Sequence, residues 1–167
     1  MNELKASRLL LRALRDEDAE QIRTLRSHPE VNKYIGRPNE FSLQESLAFI
    51  KKIQQANAEE RSFYWAICPL TQNKLTGTIC VWNFSEDKKE AEIGFELLPE
   101  WQGKGLVSEA VKEVIEYCFS NSSLEILWGA TSPENLASIR VLEKFGFVYD
   151  AEKKENDLRF YRLEKRK

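Results

Sequence analysis

The chain has 167 residues, of which 42% are hydrophobic and 31% are charged, and its formal net charge is -2. These values are typical of one globular domain that buries roughly two-thirds of its unfolded surface, so we expect a single domain over residues 1–167. Lys and Arg are interspersed with Asp and Glu, which excludes the basic stripe of a nucleic-acid-binding protein. Apolar runs stay below the roughly 18 residues of a membrane span, and residues 1–5 do not begin a secretory signal. We therefore expect a cytoplasmic protein.

The cysteines and the histidine follow no pattern of a disulfide framework or a metal site. Cys68, Cys80 and Cys118 are odd in number and form no C-x-x-C pair, so each is expected to pack as a small apolar residue. His28 is the single histidine and stands beside Pro29 in a segment that we expect to be a loop. A Ser-His-Asp arrangement would depend on this one residue, and we predict neither a metal site nor such a triad.

The first half of the chain predicts a strand, two helices and a three-stranded meander. Residues 8–12 are apolar between two arginines and predict the first strand. Residues 16–18 are all acidic and provide a capping carboxylate at the positive end of a helix. A capping box at 42–45 begins a second helix, and residues 28–41 are expected to be irregular. Three segments with strand composition or polar-apolar alternation form the meander: 63–68, 75–82 and 90–98.

The second half predicts helices that alternate with strands. Apolar residues follow the helical period over residues 105–119 and again over 132–145, with Pro133 in the first turn and Gly146 after the end. Three further strands are predicted at residues 124–130, 147–151 and 158–163. The predicted order is β-α-α-β-β-β-α-β-α-β-β, without internal repeats.

A glycine-rich segment joins the third meander strand to the following helix: Pro99-Glu100-Trp101-Gln102-Gly103-Lys104-Gly105-Leu106-Val107. Glycines let backbone N–H groups approach a ligand closely, and a helix N-terminus adds unpaired donors and a positive dipole end. These properties are typical of a diphosphate site. The segment is neither a Walker loop nor a Rossmann loop, because the residue spacing of those motifs is absent. By itself it is equally consistent with a tight strand-to-helix turn.

Two further motifs extend this segment to a longer pattern. Gln102-x-x-Gly105-x-Val107 is followed by Asn135-x-x-Ser138 and by the residues EKFGF at 143–147. On a strand-loop-helix, this combination resembles the Gcn5-related N-acetyltransferase (GNAT) superfamily.

The opening residues SRLLLR at 7–12, the helix at Asp18 and the strand AEIGF at 91–95 are similar to one branch of that superfamily, the RimJ/RimL-like ribosomal-protein alanine acetyltransferases. Val107 departs from the pattern, since the superfamily usually has Gly or Ala there. A larger side chain at this point narrows the approach to one phosphate.

The resemblance implies a three-layer α+β fold, in which a mixed, mostly antiparallel sheet is splayed at a bulge and covered by helices on both faces. It also implies acetyl-CoA as the acyl donor, with its pantetheine arm in the splayed region. Phe95 and Leu97 would pair with pantetheine, and the Leu97 N–H would face the thioester oxygen. Asn135 would hydrogen-bond the same arm, and a local helix-start role is its alternative. The diphosphate would lie against Gln102, Gly103, Lys104, Gly105, Leu106, Val107 and Ser108.

Acyl transfer to an amine needs a base for the amine and is helped by an acid for the departing thiolate. Many superfamily members place a Tyr on the last helix as this acid, but the corresponding residue here is Leu142. Ser138, one turn earlier on the same face, is therefore the candidate donor, with close helix packing as the alternative. Glu92 and Glu96 project to one side of a strand whose other side is apolar. By resemblance Glu92 is the candidate base and Glu96 the second, and the alternatives are a solvated strand face or a water relay.

The expected acceptor is a primary amine, either a protein N-terminal α-amine or a small-molecule amine. Deprotonation at pH 7 costs about 1 kcal/mol for an α-amine and about 4.6 kcal/mol for a lysine, which favours the α-amine. The resembling branch also includes enzymes that act on antibiotics, polyamines and free amino acids. Residues expected to select among these acceptors are Tyr34, Trp82, Phe84 and the turn near Lys153. We expect a monomer or homodimer, without nucleic-acid or membrane partners.

Two other functions remain open at this point. A catalytically idle acyl-CoA-binding sensor or interaction module fits Leu142 and Val107, whereas Glu92, Ser138 and the complete glycine segment favour an enzyme. A small nucleotide-phosphate-binding protein would use the glycine segment alone.

Overall fold

The computed structural model describes residues 1–166. The strands are β1 (Leu4–Lys5), β2 (Leu9–Arg12), β3 (Phe63–Pro69), β4 (Gly77–Trp82), β5 (Glu90–Leu97), β6 (Ile126–Thr131), β7 (Val148–Asp150) and β8 (Arg159–Glu164). The helices are α1 (Ala19–Ser27), α2 (Pro29–Asn32), α3 (Leu43–Ala58), α4 (Leu106–Asn121) and α5 (Leu136–Lys144). Single turns of 3-10 helix occupy Asp16–Asp18 and Pro99–Trp101. Within residues 1–166, no helix is both long and apolar enough to cross a membrane.

The strands form one eight-stranded sheet in the order β1-β2-β3-β4-β5-β6-β8-β7. Neighbouring strands are antiparallel except β5 and β6, which run parallel. A parallel pair needs a crossover connection, and α4 provides it. The structure confirms the predicted mixed, mostly antiparallel sheet.

Helices cover both faces of this sheet, as predicted. Successive strand residues point to opposite faces, and Trp65 and Ala66 of β3 accordingly belong to different core clusters. Trp65 packs in the cluster that includes Val111 of α4 and residues of α5, whereas Ala66 packs with Ile22 of α1 and residues of α3. The strand residues of the second cluster come from β3. Helices α1 and α3 therefore cover this face of the sheet at β3. They leave the same face uncovered at β5 and β6.

Two short elements are absent from the sequence prediction. β1 is two residues long and pairs with β2. α2 lies in the segment 28–41, which the sequence predicts to be irregular. Pro29 stands in its first turn, and Nδ1 of His28 accepts the Glu30 N–H at 3.2 Å. Both elements are too short to show a hydrophobic period.

The last helix begins later than predicted. The sequence places its start at residues 132–134, but α5 begins at Leu136. Oδ1 of Asn135 accepts the Ser138 N–H at 3.2 Å and caps the helix, whereas Pro133 lies in the preceding turn. The helix ends before Gly146, as predicted. Strand bounds differ from their predictions by one or two residues.

A buried ion pair joins β2 to the start of α1. Nη1 and Nη2 of Arg12 each donate to the Asp18 carboxylate at 2.8 Å, and the two side chains are 4% and 6% exposed. Asp18 also accepts the Arg15 N–H at 2.8 Å. The hydrogen bond with Asp18 raises the pKa of Arg12 above its usual value. The prediction of a carboxylate cap on α1 is wrong for Asp18, because its oxygens are taken by Arg12 and by the turn before the helix.

Replacing Asp18 by Ala should lower the free energy of unfolding by about 3 kcal/mol, because the Arg12 guanidinium would remain buried without its partner. Urea unfolding followed by circular dichroism measures this loss. Glu20→Ala is the control, since it removes an exposed ion pair with Arg23 and should cost less than about 1 kcal/mol. Equal losses in the two variants would contradict the importance of the buried pair.

Candidate active site

β5 and β6 separate part-way along the sheet. Residues 90–93 of β5 pair with residues 126–129 of β6. Beyond that point β5 keeps its pairing with β4 as far as Leu97, and β6 keeps its pairing with β8 as far as Thr131. Each strand therefore has one paired edge and one edge that faces a gap. The gap lies in the part of the sheet that the resemblance predicts to be splayed.

The backbone of Leu97 is directed into this gap. Just beyond the ends of the two strands, the Leu98 N–H donates to the Thr76 carbonyl at 2.9 Å, so the backbone N–H of Leu98 points toward the β4 side. Backbone groups of successive residues in a strand point to opposite sides. In the neighbouring pair, Gly77 and Leu97, the N–H and C=O of Leu97 therefore point away from β4. Nε2 of Gln102 donates to the Leu97 carbonyl at 2.8 Å. The Gln102 side chain thus braces the strand end, and the Leu97 N–H faces the gap.

The glycine segment forms the turn that enters α4. Gly103 and Gly105 have φ values of 72° and 77°, a left-handed conformation that a larger side chain would strain. Gly105 is the N-cap residue of α4, and no side chain of residues 1–166 caps the helix there. The first intrahelical bond runs from the Glu109 N–H to the Gly105 carbonyl, so the N–H groups of residues 106–108 remain free for an anion.

The side chain of Val107, which departs from the superfamily pattern, packs against the core cluster beneath α4. It is partly buried there. Its methyl groups are therefore part of the core packing, and its N–H belongs to the first turn of the helix.

α5 brings together the residues that the sequence singled out on the last helix. Oδ1 of Asn135 caps the helix, which is the local role that the sequence left as an alternative, so Nδ2 is the group left for a ligand. Leu142 is 2% exposed, and its Cδ2 lies 2.5 Å from the position of a Cβ added at Gly129 on β6. Leu142 therefore fills the space above Gly129 and offers no proton. Ser138, one turn earlier, is partly buried.

Glutamates alternate along the open face of β5. Glu92 lies opposite Trp82 on β4, and its Oε1 accepts Nδ2 of Asn83 at 2.7 Å. Oε2 of Glu90 accepts Nε1 of Trp128 at 2.7 Å. Two carboxylates of this strand are therefore held by neutral N–H donors. They lie on the face that α1 and α3 leave open, and both side chains are partly buried there.

Glu96, the third glutamate of the strand, is held differently. Nη1 and Nη2 of Arg37 donate to its two oxygens at 2.8 Å and 3.1 Å, and the side chains are 13% and 17% exposed. Nε of Arg37 donates to Oδ1 of buried Asn32 at 2.8 Å, which fixes the loop after α2. Sequence analysis missed Arg37, because a lone arginine between Gly36 and Pro38 has no period or motif that marks it.

The residues expected to select the acceptor have different surroundings. Trp82 is 49% exposed on the same face as Glu92. Nζ of Lys153 lies 3.9 Å from the centre of the Trp128 ring, on the β6 side of that face. Phe84 packs edge-on against Phe63 at 5.4 Å and belongs to the core. The ring of Tyr34 lies beneath the Lys33 ammonium at 5.3 Å, in the loop that Arg37 anchors.

Cys80 is the thiol nearest to these glutamates, on β4 opposite Gly94. Burial, with a further contribution from Glu96, raises the pKa of this thiol to about 12. Because the thiolate is the nucleophilic form, this shift makes Cys80 a poor candidate for a covalent acyl intermediate.

Comparison with known proteins agrees with this geometry. Residues 8–148 match the model of the acetyltransferase (GNAT) domain. The chain therefore belongs to the GNAT acetyltransferase family, and the predicted resemblance is confirmed.

Individual relatives support the same conclusion. The chain is 34% identical over 158 residues to the uncharacterized N-acetyltransferase YoaA of Bacillus subtilis (strain 168). This alignment covers 95% of the present chain and 86% of YoaA. An acetyltransferase (GNAT family) from Bacillus anthracis matches the structure with a TM-score of 0.84, 26% identity and 98% coverage of both chains. RimL, a ribosomal L7/L12 α-N-protein acetyltransferase solved with coenzyme A, gives a TM-score of 0.85 over 98% of both chains at 17% identity, a likeness of fold alone. The prediction of an acyltransferase is confirmed.

Replacing Cys80 by Ala should leave the acetyl-transfer rate intact, because burial raises the pKa of this thiol and so disfavours the nucleophilic thiolate. Steady-state rates of the variant and the wild type measure this. Iodoacetamide treatment of the native wild type at pH 7 should also leave activity unchanged. Lost turnover in Cys80→Ala, with an unchanged midpoint of thermal unfolding, would contradict this prediction and indicate that the thiol takes part in the reaction.

Proposed function

We propose that this protein transfers an acetyl group from acetyl-CoA to a primary amine, which attacks the thioester carbonyl directly. The observation that carries the proposal is that the gap between β5 and β6 opens at the same end of β5 as the turn that enters α4. An extended pantetheine arm suits a free strand edge, because residues 94–97 carry backbone groups that β6 does not use. Acetyl-CoA would supply the activated carbonyl, and the protein would hold and orient it.

The proposed binding residues lie along the chain from the end of β5, through the glycine turn, to the start of α4, with Asn135 on the neighbouring side of the gap. Phe95 and Leu97 line the gap for the pantetheine arm, with Nδ2 of Asn135 as a further donor. The Leu97 N–H is proposed as the oxyanion donor, a group whose loss costs about 3 kcal/mol in other acyl-transfer enzymes. For the diphosphate we propose Gln102, Gly103, Lys104, Gly105, Leu106, Val107 and Ser108.

Glu92 is proposed as the base. It accepts a hydrogen bond from the neutral amide of Asn83, so it can take a proton without breaking an ion pair. Protonation of Glu96 would remove the negative charge that pairs with Arg37 and disrupt their two hydrogen bonds, which makes Glu96 the second candidate. Ser138 is the proposed donor to the departing thiolate. A water relay to Glu92 is the alternative path for the amine proton.

For the acceptor we propose a protein N-terminal α-amine or a small-molecule amine. The carboxylates of Glu90 and Glu92 on the open face support an acceptor that arrives positively charged. The low cost of deprotonating an α-amine, about 1 kcal/mol at pH 7, favours that group over a lysine. A RimJ/RimL-like subtype, a single domain, a cytoplasmic location and a monomeric or homodimeric state belong to the same proposal.

A catalytically idle acyl-CoA-binding module is the second candidate. The observation that favours it is Leu142, which fills the position of the usual proton donor with a buried apolar side chain. A thiolate is a good leaving group, however, so the missing acid does not by itself prevent turnover.

The proposed function is tested by release of CoA from acetyl-CoA with a panel of peptide N-termini, polyamines, amino acids and aminoglycosides. Release above the acceptor-free rate is expected with at least one class. Thermal stabilisation by acetyl-CoA without release across the panel would favour the idle module. Stabilisation by ATP but not by CoA would contradict both and indicate a nucleotide-phosphate site.

Replacing Glu92 by Gln should lower turnover most at low pH, where the fewest acceptor amines are already neutral and the base matters most. The Kd for CoA should change little, because Glu92 lies where β5 still pairs with β6, before the gap and the glycine turn. Turnover is measured between about pH 6 and pH 9. Glu116→Gln on α4 is the control, since that side chain is 63% exposed. Equal rates for Glu92→Gln and the wild type across this range would remove Glu92 from the mechanism.

A further inference from the structure

Arg8, near the start of the chain, is hydrogen-bonded to the glycine turn. It stands just before β2, and its Nη1 donates to the Lys104 carbonyl at 2.9 Å. Its Nε and its backbone N–H donate to the two carboxylate oxygens of Glu109 at 2.8 Å and 2.6 Å. One residue therefore binds both the turn and the first turn of α4.

The contact with Lys104 sets the direction of one peptide plane. In a planar trans peptide, the carbonyl and the following N–H point in opposite directions. All peptide bonds of residues 1–166 are trans, so drawing the Lys104 carbonyl toward Arg8 turns the Gly105 N–H away from Arg8. The Lys104–Gly105 peptide rotates about ψ of Lys104 and φ of Gly105, and Gly105 has no Cβ to restrict the second of these torsions. An external hydrogen bond is what keeps this plane in one orientation.

The contact with Glu109 removes a negative charge from the helix entrance. Glu109 is in the first turn of α4, beside the free N–H groups of residues 106–108, and its side chain is 17% exposed. An unpaired carboxylate there would repel an incoming diphosphate. Because Arg8 donates to both carboxylate oxygens, it compensates this charge where an anion would bind.

We propose that Arg8 is a positioning residue for the diphosphate of the acyl donor: it orients the Lys104–Gly105 peptide and neutralises Glu109. The inference rests on the proposed function, because it requires that CoA occupies this turn. Arg8 acts through the backbone and through Glu109, and it contributes to affinity for the donor and not to the chemistry.

The test compares Arg8→Gln, Glu109→Gln and the double variant by isothermal titration with CoA and with dephospho-CoA, which keeps the diphosphate. Arg8→Gln should weaken both ligands by the same factor, about tenfold, since charge-assisted contacts are lost. The double variant should recover part of this loss, because the unpaired carboxylate is gone. Steady-state rates should show a raised KM for acetyl-CoA with kcat retained.

Two controls keep the test decisive. Arg23→Gln removes a comparably exposed arginine that pairs with Glu20 on α1, and it should bind CoA as the wild type does. Arg8→Lys keeps the charge with fewer donors and should give an intermediate Kd, which serves if Arg8→Gln fails to fold in a thermal-unfolding check.

The outcomes separate this inference from the proposed function. A wild-type protein that binds no CoA would overturn the proposed function. Wild-type binding with an unchanged Kd in Arg8→Gln, or a double variant no tighter than Arg8→Gln, would overturn the role of Arg8 alone. Weakening of CoA without weakening of dephospho-CoA would also overturn it, because Arg8 would then act on the 3′-phosphate.

Discussion

β5 and β6 share hydrogen bonds over residues 90–93 only, and the strand edges beyond that point carry backbone groups that the sheet does not use. A buried backbone group without a partner costs about 1–3 kcal/mol, so such an edge needs other partners. Gln102 supplies one of them through the Leu97 carbonyl, and the Leu97 N–H stays directed into the gap. β5, which loses its pairing with β6 but keeps that with β4, also leads within a few residues into the turn at Gly105. One break in pairing thus places a free strand edge and a helix entrance side by side.

The glutamates of β5 show how tertiary contacts distinguish residues that the sequence presents as equivalent. Glu92 and Glu96 have the same alternation and the same strand face. Arg37 makes two hydrogen bonds to Glu96 and is itself held by Asn32, so this carboxylate anchors the loop after α2 to the sheet. Among residues 1–166, the side-chain donor to the Glu92 carboxylate is the amide of Asn83. The proposed division between a structural and a catalytic glutamate follows from these partners and not from the strand pattern.

The parts of the fold that the sequence predicted depend on short-range signals. The capping box at 42–45, the glycine turn and the period-two alternation of β5 each act within a few residues, and the structure contains them. Arg37 pairs with a residue 59 positions away, and Arg8 with one 101 positions away, so no local pattern marks either. The start of α5 was misplaced because Pro133 and Asn135 both suit a helix entrance, and only the chain geometry selects the cap.

Leu142 limits what chemistry the last helix can offer. Its side chain occupies the space above Gly129 so closely that even a Cβ on β6 would collide with it. Helix and strand are therefore fitted to each other through an apolar contact at the position where many superfamily members have a phenol. A proton for the departing thiolate would have to come from Ser138, one turn closer to the cap at Asn135, or from water entering the gap. Because a thiolate leaves without much assistance, the demands on the protein shift to holding the donor and deprotonating the acceptor. In the proposed function, the glycine turn performs the first of these tasks and Glu92 on the open face of β5 performs the second.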